Sequence, residues 1–147
     1  MARDPDLYGD DTRVAAVLRD SAVWAVVGLS ENTGRAAYGV ARMLQAKGKR
    51  IVPVHPSAAT VHGERGYARL SDVVFELGEV DVVDIFVNSE LAGAVIDEAI
   101  AIGAKAIWLQ LDVIDEAAAR RARAAGLDVI MDRCPAIEWP RLLPGTP

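Results

Sequence analysis

The chain has 147 residues, 52% of them hydrophobic, with 21 acidic against 16 basic side chains and a formal net charge of −5. That is length enough for one proper core and too little for two ordinary domains. The acidic balance argues against a nucleic-acid binder, which needs a basic face to neutralise phosphates. No apolar run approaches the ~20 residues that cross a bilayer, and the segment MARDPDLYGDD lacks a signal-peptide core. The lone cysteine, Cys134, cannot close an intrachain disulfide, so the expectation is a soluble, cytoplasmic protein.

Residues 1–9 hold Pro5, Gly9 and several charges without periodicity and read as a loose tail, with order starting near Asp10. Asp11 or Thr12 can cap a short helix that buries Val14, Val17 and Leu18. Val23 to Val27 is an unbroken apolar run that stops at Gly28, as expected of a strand covered on both faces. The polar loop after it enters a helix with Ala37, Val40, Ala41 and Leu44 on one face. Free amides of such a loop and the positive end of the helix dipole converge at the carboxyl edge of the strand, where they suit a phosphate.

Gly48 closes that helix and Ile51–Val54 is the second strand, with Pro53 placed near its end or at an irregularity. From His55 to Gly66 the composition is that of a crossing loop, and Gly66–Ala68 reads as a very short edge strand. Ser71 and Asp72 are placed to cap a short helix that Gly78 ends, and Val80–Val87 is a central strand interrupted by Asp81 and Asp84. Ser89 and Glu90 start a helix with Leu91, Val95, Ala99 and Ile102 inward, closed by Gly103. Lys105–Leu109 is a strand, Asp115 caps an alanine-rich helix closed by Gly126, and Asp128–Met131 is the last strand. Pro135 to Pro147, with four prolines, is expected to wrap the surface irregularly.

Alternating strands and helices with right-handed crossovers give an α/β doubly wound, mostly parallel sheet with helices on both faces, here one domain over 10–142 with flexible tails at 1–9 and 143–147. Ligands of such sheets settle at the carboxyl ends of strands, where the strand order reverses. That places a site near Ser30, His55, Asn88 and Gln110, each just past a strand end. A dinucleotide fingerprint is broken here: only Gly28 of G-x-G-x-x-G matches, and the second strand ends in Val54-His55-Pro56 with no carboxylate for a ribose. That chemistry disfavours NAD and suits an adenosine bearing a 3′-phosphate, which a carboxylate would repel. Ser30 does not fit a hydrolase elbow, which needs glycine where Asn32 stands. Asn88 can cap a helix or touch a ligand, Trp108 can fill the core or offer a stacking face, and Cys134 can be a buried hydrophobe or a reactive thiol. His55, His62 and Cys134 are scattered and form no metal set.

Several motifs in register, Val26-Val27-Gly28-Leu29-Ser30, Asn32-x-x-Arg35-x-x-Tyr38, Pro53-Val54-His55-Pro56, Val82-Val83-Asp84-Ile85-Phe86, Gly103-Ala104-Lys105-x-x-Trp108-Leu109-Gln110 and Met131-Asp132-Arg133-Cys134-Pro135, carry a family resemblance. From about residue 12 to 142 the chain resembles the small stand-alone coenzyme A-binding proteins of the YccU type, themselves similar to the nucleotide-binding domain of the succinyl-CoA synthetase α subunit. The resemblance implies a Rossmann-like fold holding coenzyme A or an acyl-CoA non-covalently. By it, Gly28 and Ser30 with the following helix start hold the pyrophosphate, flanked by Arg35 and Tyr38, with Asn32 and Ala37 in the same segment. Pro53, His55 and Pro56 lie along the adenosine, and Asn88, Trp108 and Gln110 complete the cofactor-binding set. Thr33 and Ala36 stand where relatives often carry prolines, and Val87 where many have arginine.

A convincing acid–base pair or nucleophile is missing, so a binding module is expected rather than an enzyme. The alternatives are an NAD(P)-type oxidoreductase or ligase-like domain needing a partner, and a CoA-linked redox or regulatory protein using Cys134. The expected partner is a small-molecule CoA thiol or thioester, with no nucleic acid and no membrane; a protein partner or homo-oligomer stays open.

Overall fold

The computed structural model describes residues 3–146. Its elements are α1 (Pro5–Tyr8), α2 (Asp11–Asp20), β1 (Val23–Val27), α3 (Ala36–Ala46), β2 (Arg50–Val54), α4 (Leu70–Leu77), β3 (Val82–Ile85), α5 (Ser89–Ala101), β4 (Ala106–Leu109), α6 (Glu116–Ala124), β5 (Asp128–Ile130) and α7 (Pro135–Leu142). The strands form one sheet in the order β2-β1-β3-β4-β5, and every pairing is parallel. This is the doubly wound α/β architecture expected from the alternation of strand and helix, and it is Rossmann-like. Because β2 lies on one side of β1 and β3 on the other, the strand order reverses at β1, and a crevice opens at its carboxyl end.

Alternation along each strand divides the core into two layers. Trp24 and Val26 of β1, Ile51 of β2, Val82 of β3 and Trp108 of β4 face α2, α3 and α7, and the Trp24 and Trp108 rings meet at 5.8 Å. Ala25, Val27, Val52, Val83, Ile85 and Ile107 face α1, α4, α5 and α6. Leu44 and Ile51 on the first side and Ile85 and Ile96 on the second are wholly buried, each worth about 2 kcal/mol relative to exposure. The small inward residues of α6, Ala118, Ala119 and Ala122, let that helix lie close to its neighbours.

Several element ends differ from expectation for identifiable reasons. The segment over 1–9 is not a loose tail where it is described: Asp4 caps α1 by accepting the Asp6 N–H, and Leu7 and Tyr8 are buried. The Tyr8 hydroxyl donates to Glu116 Oε2 at 2.8 Å, and Arg133 donates to the Tyr8 and Gly9 carbonyls at 2.9 and 2.7 Å. Met1, Ala2 and Pro147 lie outside the described residues. Asp10, not Asp11 or Thr12, caps α2, and Arg69 rather than Ser71 or Asp72 occupies the N-cap of α4. The central strand runs over Val82–Ile85 rather than Val80–Val87, and just before it the Asp81 carboxylate accepts the Ala22 and Val23 N–H groups at 3.0 and 2.8 Å. Gly66–Ala68 contributes a single parallel bridge, Val54 to Tyr67.

The C-terminal segment is also more regular than expected. Pro135 sits in the first turn of α7, where its missing N–H and preset φ favour a helix, and Trp139 and Glu138 bury the helix against the sheet. Beyond α7, the Trp139 Nε1–H donates to Thr146 Oγ1 at 2.9 Å and Lys47 Nζ to the Thr146 carbonyl at 3.2 Å, which ties down residues expected to be flexible. Pro53 sits inside β2, an edge strand. Its carbonyl points outward to the Tyr67 N–H, so its ring nitrogen also faces away from β1, where no donor is required.

Candidate functional site

At the end of β1 the chain turns through Gly28, whose φ is +103°; a Cβ there would come within 3.2 Å of the Phe86 Cβ. Only glycine combines that backbone with so close an approach to the end of β3. The loop is then set by its own side chains: Ser30 Oγ accepts the Asn32 N–H at 3.2 Å, and Asn32 Oδ1 accepts the Gly34 N–H at 3.0 Å. Arg35 occupies the N-cap of α3 and makes no capping hydrogen bond, whereas α2, α5 and α6 are capped by Asp10, Asn88 and Asp115. An uncapped helix start with a guanidinium at its positive end is an unfavourable local arrangement that an anion relieves.

The end of β2 supplies the facing wall. His55 Nδ1 accepts the Ser57 N–H at 3.1 Å and lies 2.8 Å from the Ser57 hydroxyl. With Nδ1 engaged as an acceptor, the ring hydrogen of the neutral form sits on Nε2, which is left as a donor. These walls bound a cleft of about 550 Å³, within the ~300–1,000 Å³ of small-molecule sites. Of the residues singled out in the sequence, Gly28, Ser30, Asn32, Arg35, His55 and Pro56 line it.

The remaining expected residues lie elsewhere or face another way. The Ala37 side chain is buried in the core. Tyr38 packs its ring at 4.2 Å against His62, and its carbonyl lies 2.8 Å from His62 Nε2, so both residues fasten the crossing loop to α3. Pro53 is buried within the edge strand, and Asn88 Oδ1 caps α5 by accepting the Leu91 N–H at 3.1 Å. Trp108 is 0% exposed and donates from Nε1 to the Arg133 carbonyl at 2.8 Å, which leaves no ring face for a ligand. Gln110 is also buried, with its Oε1 unpartnered. Cys134 is buried at the start of α7 and does not line the cleft.

The cleft also recruits residues that the sequence did not mark for the site: Arg69 and Leu70 at the start of α4, Ala94 and Glu98 on α5, and Leu91 and Val95, which were expected in the core. The fully buried positions of α5 are Ala92, Ile96 and Ala99: Ala99 is inward as expected, Val95 and Ile102 pack only partly against the core, and Leu91 turns outward. Leu91 is consequently 57% exposed and presents an apolar wall to the cleft. An apolar stripe wider than the core requires was the available signal.

Residues 22–140 match the family described as "CoA binding domain". The chain is 31% identical over 121 residues to the uncharacterized protein YneT of Bacillus subtilis (strain 168), covering 82% of this chain and 87% of that one. A solved hypothetical protein from Pyrococcus horikoshii OT3 superposes with a TM-score of 0.87 at 31% identity, covering 97% of this chain and 98% of that one. The dinucleotide forming acetyl-coenzyme A synthetase 1 of Ca. Korarchaeum cryptofilum aligns at a TM-score of 0.65 and 26% identity, over 78% of this chain and 26% of the larger protein. No described helix is long and apolar enough to cross a membrane.

Proposed function

The chain belongs to the CoA-binding domain family, and on that premise we propose that it holds coenzyme A or an acyl-CoA non-covalently in the cleft at the β1 edge, without a chemical step of its own. The observation that carries this reading is the uncapped start of α3, with Arg35 beside it, opening onto a cleft at the point where the strand order reverses. The pyrophosphate lies against the first turn of α3, within reach of the Ser30 hydroxyl and Arg35, and the adenosine runs past His55 and Pro56. Val54, Leu70, Leu91 and Val95 then supply the apolar surface that a base requires.

A binding role suits the side chains available. The titratable groups lining the cleft are Arg35, His55, Arg69 and Glu98, and no two of them are hydrogen-bonded to each other. An acid–base relay needs such contact or a substrate to bridge it. NAD has less support, because no carboxylate follows β2 to take a ribose hydroxyl.

Calorimetric titration with CoA, acetyl-CoA, NAD, NADP and ATP tests the reading. CoA and acetyl-CoA are expected to bind most tightly, and Ser30→Tyr to weaken both at least about tenfold by filling the pyrophosphate position. Binding of NAD without CoA, or unchanged CoA affinity in Ser30→Tyr, would contradict it.

A further inference from the structure

Two buried polar side chains share the face of the sheet that carries α2, α3 and α7. On β3, Val82 faces that layer, so Asp84, two residues on, faces it as well. On β4, Ala106 and Trp108 face it, and the Gln110 N–H donates to the Ile85 carbonyl at 3.1 Å, carrying the β3–β4 ladder one residue past the strand. Gln110 therefore emerges on the same face. Asp84 is in register with Trp108, and Gln110 lies two positions further along the adjacent strand, the diagonal spacing that a long side chain spans. Asp84 is 0% and Gln110 8% exposed. Among the described residues, Asp84 Oδ1, Asp84 Oδ2 and Gln110 Oε1 are the buried side-chain atoms without a hydrogen-bond partner. All three are acceptors, so none can satisfy another without a proton between them.

We propose that the Asp84 carboxyl is protonated and donates to Gln110 Oε1, a proton-held latch that fastens the end of β4 to β3. An ionised Asp84 facing a turned-over Gln110 amide would instead leave a full charge in a layer that offers it no cation. The titratable neighbours in that layer are Tyr38 of α3 and Cys134 at the start of α7, and Glu138 of α7 is held by Arg133 and Arg141. On α2 the charged residues pair among themselves or with Asp6, Asp128 and Arg141, and Arg42 of α3 is exposed. None of them pairs with Asp84, and burial is the one cause that raises its pKa. The latch sits directly behind the cleft: Phe86, two residues beyond Asp84, lines it, and the Phe86 N–H donates to the Val27 carbonyl at 2.9 Å. Loss of the proton turns an attractive contact into repulsion between a carboxylate and a carbonyl oxygen, which loosens these strand ends before the rest of the core. The device responds to pH whatever ligand the cleft holds.

Carbon-13 NMR of the Asp84 carboxyl through a pH titration, in the full natural chain and in Gln110→Leu, tests the bond. Asp84 is expected to titrate well above 3.8, and Gln110→Leu, which removes the acceptor of the neutral form, to lower its midpoint. Thermal melting at pH 5 adds a double-mutant cycle. Gln110→Leu is expected to lower the melting temperature by roughly 3 °C or more in the natural chain and by less than about 1 °C in Asp84→Leu, where no proton is offered to Oε1. Hydrogen-exchange protection of the Phe86 and Gln110 amides, corrected for the intrinsic pH dependence of exchange, falls about fivefold or more as Asp84 loses its proton. A higher midpoint in Gln110→Leu would show the amide N–H donating to an ionised carboxylate and overturns the proposal. An unchanged midpoint, or equal losses in the two backgrounds, overturns it as well. Should Asp84→Leu not fold, the midpoint and the exchange data decide.

Discussion

Asp84 carries the largest unbalanced charge chemistry among single residues. It lies in β3 between Val26 of β1 and Trp108 of β4, is 0% exposed, and neither carboxylate oxygen has a hydrogen-bond partner. Burial alone pushes its carboxyl well above the ordinary carboxylate value. The native state therefore keeps a proton that the unfolded chain loses near its usual value of 3.8. Stability linked to Asp84 is fully present below that value and is lost as pH rises through the raised native value. Asp84→Asn removes this dependence and is expected to raise the melting temperature by roughly 3 °C or more at pH 8, with the gain vanishing toward pH 4. Calorimetric melting across pH measures it; a gain that is the same at pH 4 and pH 8 would contradict the assignment. The interruption of an apolar run made Asp84 conspicuous in sequence, but its lack of a partner depends on neighbouring strands and could not be read there. Trp108 shows the same limit in reverse, since a tryptophan near a strand end suits either core or stacking face until the packing of Trp24 decides it.

At the scale of elements, strand and helix identity was legible because apolar runs, capping residues and closing glycines repeat in a consistent order. Two kinds of information were less visible. The inward stripe of α5 was legible at Ala99 but shifted by one position in the first turns, because Leu91 and Val95 line the cleft while Ala92 and Ile96 fill the core. The terminal segments were read from composition, yet Pro5 and Pro135 both sit in first helical turns, where proline is favoured. What fastens these ends is long-range: Arg133 donates to the Tyr8 and Gly9 carbonyls and pairs with Glu138 at 3.2 Å, joining α1 to the start of α7. Arg133→Ala is expected to cost about 2 kcal/mol, since it strips partners from two carbonyls and from Oε1 of the buried Glu138, whose Oε2 keeps Arg141 at 2.6 Å. Urea unfolding measures the loss, and hydrogen exchange should speed up at residues 7–9 before it does in the central strands. Uniform acceleration, or a cost below about 0.5 kcal/mol, would show that α1 is held by apolar packing alone.

For the whole molecule, the reversal of strand order at β1 brings loop, strand end and two helices to one edge. The part of the site that follows immediately after β1 and β2 was visible from the sequence, since a residue one step past an apolar run must lie at that edge. Arg69 and Glu98 are brought in by the crossovers leading to and from β3, and nothing local to either residue marks it. Amide chemical-shift mapping of the labelled protein during titration with CoA tests the location most directly. The largest perturbations are expected in Gly28–Ala37, at His55, and along Leu91–Glu98. Perturbations centred instead on α7 and the β5 edge, or no saturable change at all, would contradict the placement of the coenzyme at β1.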